Sequence, residues 1–128
     1  MKTKPPLEKE IQAQILAYLA LLPGVLAWRQ NAGGMKANYK GKERFFRFAS
    51  RPGISDIIGV LPASRHGVTA SRQPGRFLAV ECKRPGGKLS LDQAAFLDAV
   101  RAAGGLALVV HSLDELIEAL CVEGYLES

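Results

Sequence analysis

An apolar run, Phe77-Leu78-Ala79-Val80, ends in Glu81-Cys82-Lys83. Read as a strand, it sends successive side chains to opposite faces, so Glu81 and Lys83 project together while Cys82 points away. A carboxylate and an ammonium thus leave an otherwise hydrophobic strand side by side, which makes them candidates for chemistry. They can equally be an ion pair on a half-exposed strand end, because Glu-x-Lys is short enough to arise by chance and structural ion pairs also perturb charged groups. Asp56 weights the choice. It opens its own apolar run, Asp56-Ile57-Ile58-Gly59-Val60-Leu61, directly after a turn. If the two runs are neighbouring strands, Asp56 sits beside Glu81. Two close carboxylates repel, and one holds a proton unless a cation lies between them. Oxygen ligands without His or Cys favour Mg2+ or Mn2+ over Zn2+, and the backbone carbonyl of Cys82 offers one more oxygen. The alternative for Asp56 is a cap or turn residue after Ser55.

The elements that must position these groups follow from spacing. Leu7, Ile11, Ile15, Leu19 and Leu22 recur at helical intervals, and Pro23-Gly24 stops the run. Residues 25–29 read as a short strand. Residues 31–41, rich in Gly, Asn and Lys, read as a loop, and 44–49 as another strand. Residues 62–75 are polar with Gly and Pro and read as an exposed hairpin or loop. Residues 76–83 are the clearest strand, closed by Pro85-Gly86-Gly87. Ser90 opens a helix with Gln93 as its capping-box partner, ending at Gly104-Gly105. Residues 106–111 read as a buried strand and 113–121 as a last helix. This is a single α/β domain over residues 1–128, with a mixed sheet flanked by helices.

Charge is distributed unevenly along the chain. Its 128 residues carry a formal net charge of +5. Between Trp28 and Arg51 stand Arg29, Lys36, Lys40, Lys42, Arg44, Arg47 and Arg51, opposed by Glu43 alone, while the stretch after His111 holds five carboxylates and no Lys or Arg. Such segregation reads either as a one-sided anion-binding surface or as a solvated basic loop. Cys82 and Cys121 lie in apolar segments without metal-ligand spacing, which fits reduced thiols in a cytoplasmic protein. Glu8, Glu10, Gln12 and Gln14 interrupt the N-terminal apolar stretch, which argues against a signal peptide and a membrane span. Trp28 reads as core. Tyr39 reads as loop surface or a base contact. His66 and His111 read as structural or exposed.

Five segments in order resemble the virus-type replication-repair nuclease domain, VRR-NUC, of the PD-(D/E)xK nuclease superfamily. They are Glu8-Lys9-Glu10-Ile11-Gln12, Trp28-Arg29-Gln30-Asn31-Ala32-Gly33, Arg51-Pro52-Gly53-Ile54-Ser55-Asp56-Ile57-Ile58-Gly59, Val80-Glu81-Cys82-Lys83 and Leu91-Asp92-Gln93-Ala94-Ala95-Phe96. Ser55 departs from the pattern, since many relatives have Pro before the Asp. The resemblance implies a restriction-endonuclease-like core in αβββαβ order and a Mg2+- or Mn2+-dependent DNA endonuclease. It implies a metal shell of Asp56, Glu81, the Cys82 carbonyl and Glu8, with Lys83 and Gln93 completing the catalytic set. Glu8 and Glu10 both carry a first-turn carboxylate, which the helix dipole alone also favours; the family position is Glu8. Gln93 falls on the stripe of Phe96, Leu97 and Val100, which leans it towards the sheet, and it serves equally as the Ser90 capping partner. Arg29, Asn31, Lys36, Lys40, Lys42, Arg44 and Arg51 are the candidate DNA contacts, of the kind that position a backbone without reading sequence. The relatives further imply branched DNA such as four-way junctions as substrate, a homodimer as the working unit, and no nucleotide cofactor or membrane. The competing readings are a flap, nicking or restriction-type endonuclease, and a non-catalytic nucleic-acid-binding module on the same fold.

Overall fold

The computed structural model describes residues 4–30, 34–47, 51–63 and 74–127. The elements run α1 (Glu8–Leu21), β1 (Leu26–Arg29), β2 (Gly34–Tyr39), β3 (Lys42–Arg47), β4 (Ile57–Leu61), β5 (Arg76–Cys82), α2 (Leu91–Ala102), β6 (Leu106–Val110) and α3 (Leu113–Val122). Four strands form the central sheet in the order β1-β4-β5-β6. The pairs β1·β4 and β4·β5 are antiparallel, and β5·β6 is parallel. A parallel pair needs a crossover, and α2 supplies it. With the β2–β3 pair set aside, the core reads α, three strands, α, strand, which is the expected αβββαβ order of a restriction-endonuclease-like fold.

The sheet has two different faces. Ile57, Leu61, Leu78, Val80, Cys82, Leu106 and Val110 pack against Ile11, Ile15 and Leu19 of α1 and Leu116 and Leu120 of α3. Ile58, Ala79 and Ala107 point the other way and meet Leu97 and Val100 of α2. The alternation of β4 and β5 thus feeds both layers, as period-two side chains must. The apolar residues of α1 and of 116–126 are therefore largely core rather than spare surface. The large apolar side chains left open on the sheet are Leu26, Trp28, Val60 and Phe77.

Three sequence expectations change. Residues 31–41 are not one loop: from Gly34 onwards the chain is β2, paired antiparallel with β3. The turn between them is Lys40-Gly41, both with positive φ, at 52° and 74°; two such residues make the turn whose twist matches a hairpin. β3 belongs to this separate two-stranded sheet, not to the central one. Pairing also divides the basic residues. Lys36 lies opposite Phe45 on one face, whereas Arg44 lies opposite Ala37, with Lys42 two residues away, on the other. The basic segment is thus not one-sided. The segment 62–75 and Asn31 fall mostly or wholly outside the described residues, as do His66 and the side chain of Tyr39.

Candidate active site

Strand register brings the carboxylates together. Ile57 pairs with Val80, so one step further along the ladder Asp56 stands opposite Glu81. Asp56 Oδ2 accepts a hydrogen bond of 2.9 Å from the Cys82 N–H, and the Asp56 carbonyl accepts one of 2.7 Å from the Gln30 N–H. The segment is thus pinned on both sides as it enters β4. On its other edge β5 is held by the Lys83 N–H, which donates to the Val110 carbonyl at 2.9 Å. Strand geometry sends the Cys82 carbonyl the same way as its N–H, towards Asp56.

Glu81 is 2% exposed, and its two oxygens differ. Oε1 accepts from Gln93 Nε2 at 3.0 Å and lies 3.8 Å from Lys83 Nζ. Oε2 is buried, and among the described residues no donor reaches it, so the ionised carboxylate leaves it unsatisfied. Burial raises the Glu81 pKa to about 8, reinforced by repulsion from Asp56 and by the hydrogen bond that protonated Glu81 gives Asp56; Lys83 opposes this and Glu8 adds to it. The Cys82 thiol is pushed up to about 12, by burial first and then by Asp56, Glu81 and Glu8, so it stays protonated and packs in the core as an inert group.

Lys83 is buried beside Glu81. Gln93 unites the two readings its position allowed. Its backbone N–H donates to Ser90 Oγ at 3.1 Å and its Oε1 accepts from the Ser90 N–H at 2.9 Å. Holding Oε1 there turns the NH2 group to Glu81. The turn before Asp56 docks on the same helix end: a Cβ on Gly53 (φ 77°) would stand 2.3 Å from the Asp92 carbonyl carbon. Only a glycine lets these two backbones approach so closely.

The first helix separates its two carboxylates. Glu10 is exposed and its Oε2 accepts from the Leu7 N–H at 3.2 Å, closing the helix start. Glu8 is half-buried, and its charge reaches both Glu81 and Cys82. Among the described residues no three His, Cys, Asp or Glu side chains converge as a metal cage. The converging unit is the pair Asp56 and Glu81 with backbone oxygen nearby. A pair suits an ion that binds through one or two carboxylates and keeps its waters, as Mg2+ does, and the orphaned Glu81 Oε2 is a buried acceptor such an ion would satisfy.

The proposed backbone contacts are scattered. Arg51 lies over the Phe96 ring at 5.6 Å, beside the Gln93 helix. Arg29 is exposed at the end of edge strand β1, and Lys36, Lys40, Lys42 and Arg44 are exposed on the hairpin. Lys36 approaches Glu43 at 3.9 Å. Sequence reading missed Trp28, which is 42% exposed rather than core. The available signal was Gln30 two residues on, which shares its strand face.

No curated protein and no solved structure matches the chain. The family model described as the VRR-NUC domain matches residues 9–114. That span includes Asp56, Glu81, Lys83 and Gln93 and begins one residue after Glu8. No helix among the described residues is long and apolar enough to cross a membrane. With the match covering most of its length, the chain belongs to the VRR-NUC domain family, nucleases of the PD-(D/E)xK type.

Proposed function

We propose that this chain is a Mg2+- or Mn2+-dependent DNA endonuclease that acts on branched DNA such as four-way junctions, as a homodimer. One observation carries the metal-dependent chemistry: among the described residues no donor reaches buried Glu81 Oε2, which lies beside a second carboxylate, Asp56, at a strand end that also presents Lys83. Asp56 and Glu81 would hold the ion, with the Cys82 carbonyl as a further ligand, and Glu8 would add its negative charge from α1 without joining the converging pair. When bound, such an ion polarises a phosphoryl oxygen and lowers the pKa of a water. Lys83 stabilises charge developing on the scissile phosphate or orients the attacking water. Gln93 fixes the Glu81 carboxylate through Oε1, which leaves Oε2 to face the ion. Asp56 is held by the Cys82 N–H, so neither carboxylate must reorganise during the reaction.

Arg29 and Arg51, with Lys36, Lys40, Lys42 and Arg44 on the hairpin, supply cations for the DNA backbone, and Asn31, outside the described residues, is a further candidate contact. A four-way junction has two symmetry-related strands to cut and this domain carries one site, so paired incisions require two copies in fixed relation. Leu21 and Val122, exposed at the ends of α1 and α3, are apolar side chains available to such an interface.

The test is cleavage of linear, flap and four-way substrates side by side, with Mg2+, with Mn2+ and with EDTA, alongside light scattering at micromolar concentration. The four-way substrate is expected to be cut fastest, by a dimer, and only with metal. Flap preference would move the enzyme to a flap endonuclease. DNA binding without cleavage under any metal would make it a binding module. A monomer, or nicked circles accumulating well before linear product from a cruciform plasmid, would end the paired-site reading.

A further inference from the structure

Among the described residues, one face of the central sheet is only half covered. Leu26, Trp28, Val60 and Phe77 share that face with Ile58, Ala79 and Glu81, because they occupy the same parity along β1, β4 and β5. α2 packs on its β5–β6 side, against Ala79 and Ala107. α2 also buries Ile58 of β4, but among the described residues nothing covers the row beyond it or the β1 edge, where Leu26 is 61%, Trp28 42%, Val60 38% and Phe77 41% exposed. Leu26 pairs with Val60, and Val60 with Phe77, so they form one row; Trp28, Ile58 and Ala79 form the next. The row after that is Gln30, Asp56 and Glu81, the candidate active site itself. Trp28 thus stands one strand across and two residues along from Asp56, roughly 8 Å between Cα atoms at ordinary sheet spacings.

The indole is held in place. Trp28 Nε1 donates to Gln30 Oε1 at 3.1 Å, and the Gln30 N–H donates to the Asp56 carbonyl at 2.7 Å. The one polar atom of the ring is therefore occupied, and what it offers a ligand is its π-face. A flat, apolar-faced partner fits, and a strand whose phosphate lies at Asp56 and Glu81 carries such a partner on each neighbouring nucleotide. Every base has a π-face, so stacking of this kind is tolerant of sequence.

We propose that Trp28, with Leu26 and Val60 as its apolar floor, is a stacking platform for a nucleobase unstacked from its duplex a few nucleotides from the scissile phosphate. This rests on the nuclease reading above and deepens it. The structural feature recognised becomes an unpaired or splayed base, of the kind a branch point or single strand presents and continuous duplex withholds.

Trp28 is the chain's one tryptophan, so its fluorescence reports the platform directly. The experiment titrates the wild-type protein in Ca2+ with dye-labelled single-stranded oligothymidylate, following oligonucleotide anisotropy and tryptophan emission together. An oligonucleotide of equal length with abasic sites, and a fully paired duplex, run in parallel. Emission is expected to fall in step with binding of the oligothymidylate and to stay nearly level with the abasic strand and the duplex. Trp28→Ala is expected to raise the apparent Kd for the single strand about tenfold, with Trp28→Phe restoring most of it. Equal quenching by abasic and normal strands, or binding of the normal strand without quenching, overturns the platform. So does an emission shift that follows protein concentration without DNA, which would put a second copy of the chain on this face. Cleavage assays on the same protein separate the two levels. Active enzyme with base-insensitive emission ends the platform alone, whereas base-dependent quenching by a protein that cuts nothing leaves the platform standing and ends the catalytic reading.

Discussion

Gln93 Nε2 donates to Glu81 Oε1 across 3.0 Å, and the helix cap decides that it does so. Because Gln93 Oε1 is taken by the Ser90 N–H, the amide has one orientation left, with its donors towards the carboxylate. Gln93→Ala should lower metal affinity or turnover by about 10- to 100-fold, the usual cost of losing a group that orients a ligand. Ser90→Ala keeps the backbone N–H and loses only the hydroxyl cap, so it should cost about 1 kcal/mol of stability and little activity. Measured side by side, equal losses of activity in the two variants would make Gln93 a helix cap and nothing more.

The metal-free protein should be less stable in alkali. Native Glu81 keeps its proton to about pH 8, against an ordinary value of 4.5. Between those values the native state binds a proton that the unfolded chain has released, so stability falls as pH rises through the window. The slope is at most about 1.4 kcal/mol per pH unit for one proton, and it belongs to the Asp56–Glu81 pair as a unit. Thermal melts in EDTA from pH 4.5 to 8 would show the decline, and Glu81→Gln should flatten it. A wild-type profile already flat would mean the pair is not sharing a proton.

Asp56→Asn and Glu81→Gln should each reduce cleavage by orders of magnitude with the fold intact. Lys83→Ala should cost about 100- to 1000-fold, as for other groups that stabilise developing charge. Glu8→Gln should cost more than Glu10→Gln, since Glu10 is engaged in closing its own helix. Single-turnover rates check all five. A near-normal rate for Lys83→Ala would return Glu81 and Lys83 to a structural ion pair.

Ser55 is fully buried, and among the described residues its hydroxyl finds no partner. An unmet hydroxyl in the core costs about 1–3 kcal/mol. Ser55→Ala should therefore raise Tm while leaving cleavage unchanged, because the hydroxyl touches nothing in the site. A lower Tm would show that the hydroxyl is satisfied in solution.

The hairpin predicts an asymmetry in DNA binding. Lys42 and Arg44 share a face, whereas the face of Lys36 also holds Glu43. The face with two described cations and no carboxylate is the better match for a phosphate backbone. Replacing Lys42 and Arg44 together should reduce the salt slope of DNA binding by about 2, from the counterions no longer released. Lys36→Ala should change it less. The reverse ranking would place the hairpin the other way round on the substrate.

Legibility from sequence tracked how much of each feature is written in local pattern. The Glu81 strand, the Ser90 cap and the α1 stripe are periodic, and each stands where its pattern put it. The Asp56–Glu81 pairing is a long-range register, foreseen as a condition because both residues end apolar runs. The hairpin was missed because Gly, Asn and Lys also spell a loop; what makes it a turn is the positive φ of Lys40 and Gly41. Trp28 was misplaced for a different reason. An indole in an apolar strand reads as core, and only the arrangement of α2, which leaves the β1 side of the sheet open, makes it surface.

One bond near the centre of the molecule offers a spectroscopic handle. The Cys82 amide donates to the Asp56 carboxylate, not to a neighbouring strand. Its proton therefore reports on a side chain, while the Lys83 amide beside it, bonded to the Val110 carbonyl, reports on the sheet. In an NMR spectrum the first resonance should move when a cation binds the Asp56 carboxylate, and the second should hold still. Two adjacent amides thus give a signal and its internal reference for the state of the carboxylate pair.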